Sequence, residues 1–183
     1  LGACGEAGAV VSNDSGIIRK VKMLRDHGQS QKYYHGVEGY NARMDALQAI
    51  VLRAKLKRLS QWNAARQKCA AYYHKRLSTN QAIQLPSVAP YNTHVFHLYV
   101  ILVDSRDEVQ RKLQERGVGT GLHYPLPLHL QKAYAHMGLS KGSLPVTERV
   151  AARLLSLPMF PNLTQEQQDY VCDQLLDIVG PSK

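Results

Sequence analysis

One polar segment ahead of a helical pattern carries two side chains that could bind an anion. Asn41 and Arg43 stand two residues apart, so an amide and a permanent cation are presented together. The guanidinium is a rigid fork of donors that suits phosphate or carboxylate, and a helix start adds free backbone N–H groups and the positive end of its dipole. Asn is also a common N-cap residue, so the spacing alone allows a purely structural interpretation of Asn41.

The helical pattern that follows would position this segment. Apolar residues recur at the 3.6-residue period and predict an amphipathic helix with one packed face, formed by Met44, Leu47, Val51, Leu52, Leu56 and Leu59. The pattern breaks near Ser60 and Gln61 and resumes at Trp62, which predicts a second helix. The basic residues of both helices are spread around them and favour a solvated surface.

A second segment combines histidine, tyrosine and proline in a short space. Pro125 and Pro127 hold the backbone extended and restrict regular hydrogen bonding, so His123, Tyr124 and His129 would be displayed in fixed directions away from a sheet. Histidine is readily tuned to bind or transfer protons near neutral pH. Surface histidines beside a proline turn would give the same pattern. A metal site is disfavoured, because no acidic or cysteine ligand stands at ligand spacing nearby.

Cap and turn signals predict the remaining elements. In chain order we expect a strand over 9–12, a helix capped by Asn13 or Asp14, a strand over 94–103, a helix from Asp104 or Ser105 to Gly117, a strand over 118–124, and a last helix begun by the capping box of Thr164 and Gln167. Pro86 and Pro90 mark a linker. The strand–helix–strand order beyond them predicts a small α/β layer distinct from what precedes.

Composition describes an ordinary globular chain with an excess of positive charge. Of 183 residues, 44% are apolar and 20% are charged, and the formal net charge is +9. No apolar run approaches the roughly 18 residues of a membrane span, and no basic region precedes an apolar one, so we expect no membrane segment and no signal peptide. Three widely spaced cysteines without a CxxC pair favour a reducing cytoplasm. The charge would suit nucleic acid, or phosphorylated and nucleotide-linked substrates.

The order of motifs resembles that of the DegT/DnrJ/EryC1/StrS family. The resemblance runs through essentially all 183 residues, and it is carried by GEAGAVVSND, MLRDHGQSQKYYH, GYNARMDALQAIVLRAKL, WNAAR, HVFHLYVI, GVGTGLHYPLPLHLQKAY and LSLPMFPNLTQEQQDYV. It implies an α/β fold, the C-terminal part of a fold type I aminotransferase that depends on pyridoxal 5'-phosphate. It also implies a homodimer with active sites at the subunit interface.

The resemblance divides the chain into three parts. Residues 1–43 would be the end of the large cofactor-binding domain with an interface loop, residues 44–85 the linking helices, and residues 86–183 a small C-terminal α/β domain. The family's Schiff-base lysine would fall just upstream of Leu1, so no catalytic residue is assigned within the chain. We therefore expect these 183 residues alone to be inactive.

The resemblance also implies roles for the residues singled out above. Asn41 would reach the cofactor phosphate of the neighbouring subunit, and Arg43 beside it would face the substrate or its phosphates. His123 and Tyr124 would contact the sugar, and His129 would lie near the cofactor and the incoming hexose. The His-Tyr-Pro-x-Pro pattern looks more like family members that aminate C-3 of a keto sugar than those that act at C-4.

The function expected is therefore amination of a nucleotide-linked keto sugar, with glutamate as donor, for amino-sugar or polysaccharide biosynthesis. One alternative is a truncated, inactive fragment that serves as a dimerisation or binding module; an upstream lysine-bearing half would decide between the two. A nucleic-acid-binding protein is a second alternative. It would need aromatic and basic residues interleaved on one face, which the sequence does not show.

Overall fold

The computed structural model describes residues 1–181. Their chain order is α1 Ser15–Leu24, β1 Gln29–Gln31, β2 Tyr34–His35, α2 Ala46–Leu56, α3 Leu59–Leu77, β3 Ile83–Gln84, β4 Tyr99–Val103, α4 Arg106–Glu115, the 3-10 helices Leu128–Leu130 and Lys132–Met137, α5 Pro145–Arg153, β5 Leu154–Leu157 and α6 Gln165–Val179. The chain forms two compact units, Leu1–Ser60 and a second that begins at Gln61.

The first unit begins with the capped helix that the sequence predicts. The Asp14 carboxylate accepts hydrogen bonds from the amides of Gly16 and Ile17, at 2.7 and 3.4 Å, and α1 starts directly after it. The strand predicted over 9–12 is wrong. These residues are exposed and belong to no strand, because apolar side chains without a neighbouring strand to pair with form no ladder.

A small hairpin follows α1, and two glycines let the chain close beneath it. Strands β1 and β2 pair antiparallel, and the His27 amide donates to the Tyr40 carbonyl at 2.9 Å. A Cβ atom on Gly39 would lie 2.1 Å from the backbone nitrogen of Gly28, so only glycine permits this approach. The hairpin is thus held at its base, directly before Asn41.

The helix after Asn41 starts later than the sequence suggests. Asp45 occupies the N-cap position of α2, so the interpretation of Asn41 as the N-cap is wrong. The helix ends at Leu56 and α3 begins at Leu59, which places the break slightly before the predicted one. Helix α2 buries no residue against the described chain, and Leu47 remains 75% exposed. The face predicted to pack is therefore only partly covered here: Val51 and Leu52 are half-buried, whereas Leu47 and Leu56 are exposed.

The second unit is built on a three-stranded antiparallel sheet in the order β3-β4-β5. Strand β4 alternates buried and half-buried residues, whereas all four residues of β5 are buried. The side chains of α3, α4 and α6 complete one core with this sheet, including Tyr73, Leu77, Tyr99, Ile101, Leu113, Leu155, Cys172 and Leu175.

Two strand predictions for this unit need correction. The strand predicted over 94–103 forms only from Tyr99 onward. The strand predicted over 118–124 does not form; a single bridge joins Gly121 to Ser156, with N–O distances of 3.0 and 2.8 Å. Strand β5 pairs with β4 instead. Its backbone forms the antiparallel ladder with β4, and its four buried side chains contribute to the core. The unit contains an α/β layer, as expected, but its sheet has three strands, of which β3 and β5 were not predicted.

Helix α6 confirms the predicted capping box. The Thr164 hydroxyl accepts from the Gln167 amide at 3.2 Å, and the Gln167 side chain accepts from the Thr164 amide at 3.0 Å. Two backbone amides that the helix itself cannot satisfy are thus paired at its first turn.

Replacing Thr164 by alanine should lower the free energy of unfolding of the chain by about 1 kcal/mol, because one amide of the first turn loses its acceptor. Urea denaturation followed by circular dichroism would measure this change. Thr93→Ala is a matched control, since Thr93 is exposed and makes no side-chain hydrogen bond among the described residues. Equal midpoints for the two variants would contradict the contribution of the cap.

Candidate functional site

In the first unit, Asn41 and Arg43 are positioned by Asp26. The Arg43 guanidinium donates to one carboxylate oxygen of Asp26 from Nη2 at 2.6 Å and from Nε at 3.1 Å. An isolated antiparallel bridge also joins Asp26 to Asn41 through the backbone. The residue before the hairpin therefore orients both site candidates after it. Asp26 was missed from the sequence, because nothing local shows that residues 17 positions apart are paired.

A concave, basic surface lies beside this pair. A cavity of about 340 Å³ is lined by Lys22, Arg25, Asp26, Arg43 and Met44. Asp26 offsets one of the three cations, so the lining keeps a positive balance that suits an anion such as phosphate. Side chains from α1 and from the segment before α2 meet here.

In the second unit, His123 and Tyr124 are presented differently from one another. The Nδ1 atom of His123 lies 2.9 Å from the Ser156 hydroxyl, so the ring is anchored to β5 and only its Nε2 edge is available to a ligand. Tyr124 is 74% exposed. Tyr124 thus has the outward display that the sequence predicts, whereas His123 is half-buried.

His129 lies inside the second unit and is not displayed at its surface. It is 6% exposed, and its Nε2 lies 3.0 Å from a carboxylate oxygen of Glu148. Glu148 also accepts from the amides of Gly142 and Leu144. These bonds, the Gly142 amide foremost, lower the pKa of Glu148 below its usual value of about 4.5. This pairing cannot be predicted from local sequence patterns, because 19 residues separate the two side chains.

A groove opens beside this segment. It encloses about 800 Å³ between the segment from Tyr124 to Leu128 and the helix α5, and its lining is mostly aliphatic, with Val146 and Val150 from α5 and Leu154 from the start of β5. Pro125 and Pro127 form part of the wall, and their rings restrict the backbone there. The exposed Tyr124 hydroxyl stands at this groove.

Asn41 and Arg43 belong to the first unit, and His123, Tyr124 and His129 belong to the second. Within residues 1–181, no group of three His, Cys, Asp or Glu side chains could hold a metal ion. No helix in the same range is long and apolar enough to cross a membrane.

Comparison with known proteins decides the family. The profile of the DegT/DnrJ/EryC1/StrS aminotransferase family matches residues 1–176, nearly the whole chain. The chain belongs to the DegT/DnrJ/EryC1/StrS aminotransferase family.

Two relatives of this chain are named for reactions on nucleotide-linked sugars. It is 42% identical to the UDP-N-acetyl-3-dehydro-alpha-D-glucosamine 3-aminotransferase of Acidithiobacillus ferrooxidans, over 91% of this chain and 44% of that protein. It is also 42% identical to the dTDP-3-amino-3,4,6-trideoxy-alpha-D-glucose transaminase of Streptomyces venezuelae, over 94% of this chain and 46% of that protein. The chain spans about half the length of the curated relatives it matches.

A solved structure agrees with the family. The crystal structure of NtdA from Bacillus subtilis with bound cofactor PMP superimposes with a TM-score of 0.86 at 32% identity. The match covers 98% of this chain and 43% of that one. The α/β fold expected from the resemblance is thereby confirmed as part of an aminotransferase fold.

Gly121→Ala tests whether the His123 ring is held against Ser156. A Cβ atom at Gly121 would lie 2.6 Å from Cε1 of the His123 ring, so the ring must rotate and lose its bond to Ser156. We expect the ring ¹H and ¹⁵N resonances of His123 to shift in the variant chain. Gly119→Ala is the control, because a Cβ there meets nothing within 4 Å. Unchanged His123 resonances in Gly121→Ala would show that the ring is not held there.

Proposed function

We propose that the chain is the C-terminal part of an aminotransferase that depends on pyridoxal 5'-phosphate and aminates C-3 of a keto sugar carried on a nucleoside diphosphate, with glutamate as amino donor. The observation that carries this proposal is the match of more than nine-tenths of the chain to two relatives named as nucleotide-sugar 3-aminotransferase and 3-amino-sugar transaminase. The basic cavity beside Arg43 supports it independently, because both substrate and cofactor bear phosphate groups.

The donor groups of the first unit fit the phosphate of the proposed cofactor. Asn41 is bridged through its backbone to Asp26, which lines the positively charged concavity, and its side-chain N–H₂ is a donor that a phosphate oxygen can accept from. The cofactor, when bound, acts as the electron sink that makes amino transfer possible. Asn41 would hold the phosphate of a cofactor bound in the neighbouring subunit of a homodimer. His129 would approach the cofactor through Nδ1, since Nε2 is engaged with Glu148.

The remaining candidates would bind the sugar nucleotide. Arg43 keeps N–H groups beyond the two that Asp26 accepts, and these would bind the pyrophosphate. The Nε2 edge of His123 and the Tyr124 hydroxyl can donate to or accept from sugar hydroxyl groups. The groove beside Tyr124 would give the sugar nucleotide an apolar wall.

The assembly and the domain division remain part of this proposal. Residues 1–43, 44–85 and 86–183 would serve as the end of the large domain, the linking helices and the small domain of a cytoplasmic homodimer. The exposed apolar residues of α2, Leu47, Ile50 and Leu56, support an enzyme in which further protein surface packs on this helix.

The lysine that would hold the cofactor is expected ahead of Leu1. We call "the completed enzyme" this chain joined to a lysine-bearing N-terminal half, either its own upstream sequence or that of the Streptomyces venezuelae relative. The 183 residues alone should form no stoichiometric borohydride-reducible adduct with pyridoxal phosphate and should not transaminate. Absorbance titration and mass spectrometry would measure the adduct.

The completed enzyme, in contrast, should bind the cofactor stoichiometrically and release 2-oxoglutarate from glutamate when a 3-keto nucleotide sugar is supplied. An adduct confined to one lysine of the 183-residue chain, with turnover, would overturn the expected inactivity. A folded, dimeric completed enzyme without turnover would favour the alternative of a dimerisation or binding module.

A further inference from the structure

Glu148 ties three separate parts of the second unit together. Its carboxylate lies at the first turns of α5, accepts from the amides of Gly142 and Leu144 at 2.8 to 3.2 Å, and lies 3.0 Å from Nε2 of His129. The His129 side chain is 4% exposed and that of Glu148 15% exposed. The contact is therefore shielded from solvent. In such a buried environment an unpaired polar atom is costly, so it matters which partner donates the hydrogen bond.

The two backbone amides settle which partner donates to which. An ionised carboxylate only accepts hydrogen bonds, and backbone N–H groups only donate. Glu148 is held in the ionised form by the Gly142 and Leu144 amides, in keeping with the lowered pKa of this carboxyl group. The proton between His129 and Glu148 must then belong to the ring nitrogen Nε2.

From this geometry we infer that Glu148 is a positioning residue that fixes a ring proton of His129 on Nε2 and leaves Nδ1 as the atom that accepts. Among residues 1–181, Nδ1 has no hydrogen-bond partner. A neutral ring held this way can accept a hydrogen bond or a proton at Nδ1 but cannot donate there. In the completed enzyme, Nδ1 of His129 accepts a hydrogen bond from a donor group of the bound ligand, such as a hydroxyl or amine; this step rests on the proposed function.

His129 is buried although it is one of the proposed ligand contacts, and its pairing with Glu148 gives a reason for this position. A histidine that merely filled the core would need no particular tautomer. A carboxylate fixed by two other donors imposes one, in the way that a buried acid orients a histidine in other enzymes. Glu148 itself touches no ligand in this account and acts through His129 alone.

The test is the tautomer of His129, read from ¹⁵N NMR of the histidine-labelled 183-residue chain. Spectra recorded at alkaline pH, where the ring holds a single proton, should place that proton on Nε2, with the Nδ1–H form undetectable. In Glu148→Met, which keeps the length but removes the acceptor, the Nδ1–H form should become populated. Glu148→Gln, whose Oε1 can still accept, should return the ring to the Nε2–H form. His129→Asn assigns the signals.

Glu108→Gln is the matched control, because Glu108 is exposed on α4 and pairs with Lys112. It should leave the tautomer of His129 unchanged. Circular dichroism of each variant separates a tautomer change from unfolding. An Nδ1–H ring in the unaltered chain, or the same tautomer ratio in folded Glu148→Met, would overturn the inference.

The functional half is tested in the completed enzyme. Glu148→Met should lower kcat/KM of both half-reactions by about tenfold or more, and Glu148→Gln should restore most of it. If the tautomer changes as described while both half-reactions keep their rates, His129 accepts nothing from the ligand. An unaltered completed enzyme that binds cofactor but never transaminates would instead remove the proposed function, and the NMR result would stand.

Discussion

His123→Asn or Tyr124→Phe in the completed enzyme is expected to lower kcat/KM for the keto sugar by about tenfold or more, equivalent to about 1.4 kcal/mol of transition-state stabilisation. His123 is anchored through Nδ1 to Ser156, so its Nε2 is held in place by the sheet and would meet the sugar at little entropic cost. Tyr124 presents an exposed hydroxyl at the edge of an apolar groove. Each side chain would lose one matched hydrogen bond to a sugar hydroxyl.

The half-reaction with glutamate should be nearly untouched by these changes, because both residues are assigned to the sugar alone. Single-turnover rates for each half-reaction separate the two substrates. His97→Asn and Tyr91→Phe are matched controls, since both residues are exposed and make no side-chain hydrogen bond in the described chain. Exposed residues beside a proline turn would change stability by about 0.5 kcal/mol or less and leave kinetics alone. Equal losses with glutamate and sugar would refute the sugar assignment.

Asn41→Ala in the completed enzyme should weaken cofactor retention by roughly 1.5–3 kcal/mol, because a charged phosphate loses one hydrogen bond. Arg43→Ala should mainly raise KM for the nucleotide sugar, since its free donors are assigned to the pyrophosphate. Equilibrium dialysis of the cofactor and steady-state kinetics measure the two effects. Asn92→Ala and Arg19→Ala are the controls, both exposed and without side-chain partners among the described residues.

Mixed dimers test whether Asn41 acts across the subunit interface. One design places Asn41→Ala and an inactivated lysine in the same subunit, and the other places them in opposite subunits. If Asn41 serves the neighbouring site, the first design damages both sites and the second leaves one site intact. Equal activity of the two designs would show that Asn41 does not act in trans.

Local signals in the sequence predicted the starts of α1 and α6 well, but not that of α2. Asp14 and the Thr164–Gln167 pair bond to amides within three residues, so the information lies in a short window. Strands depend on partners far along the chain. The residues at 9–12 have the apolar composition of a strand and no partner, whereas Leu154–Leu157 directly follows a helix and still pairs with β4.

The candidate site shows the same division. Sequence patterns named Asn41, Arg43 and His123 but not the residues that orient them, Asp26 and Ser156, which come from distant positions. His129 was expected at the surface because prolines precede it. It is buried and paired with Glu148 in α5, and no periodicity reports a pairing of that kind.

The most direct test of the proposed function is the fate of the amino nitrogen. The completed enzyme would be incubated with ¹⁵N-glutamate and a 3-keto nucleotide sugar, and the sugar product examined by NMR and mass spectrometry. The account predicts the ¹⁵N label on C-3 of the sugar, with the nucleoside diphosphate still attached, and less product from His123→Asn at the same cofactor occupancy. A folded, cofactor-loaded enzyme that leaves no ¹⁵N in the sugar would contradict it.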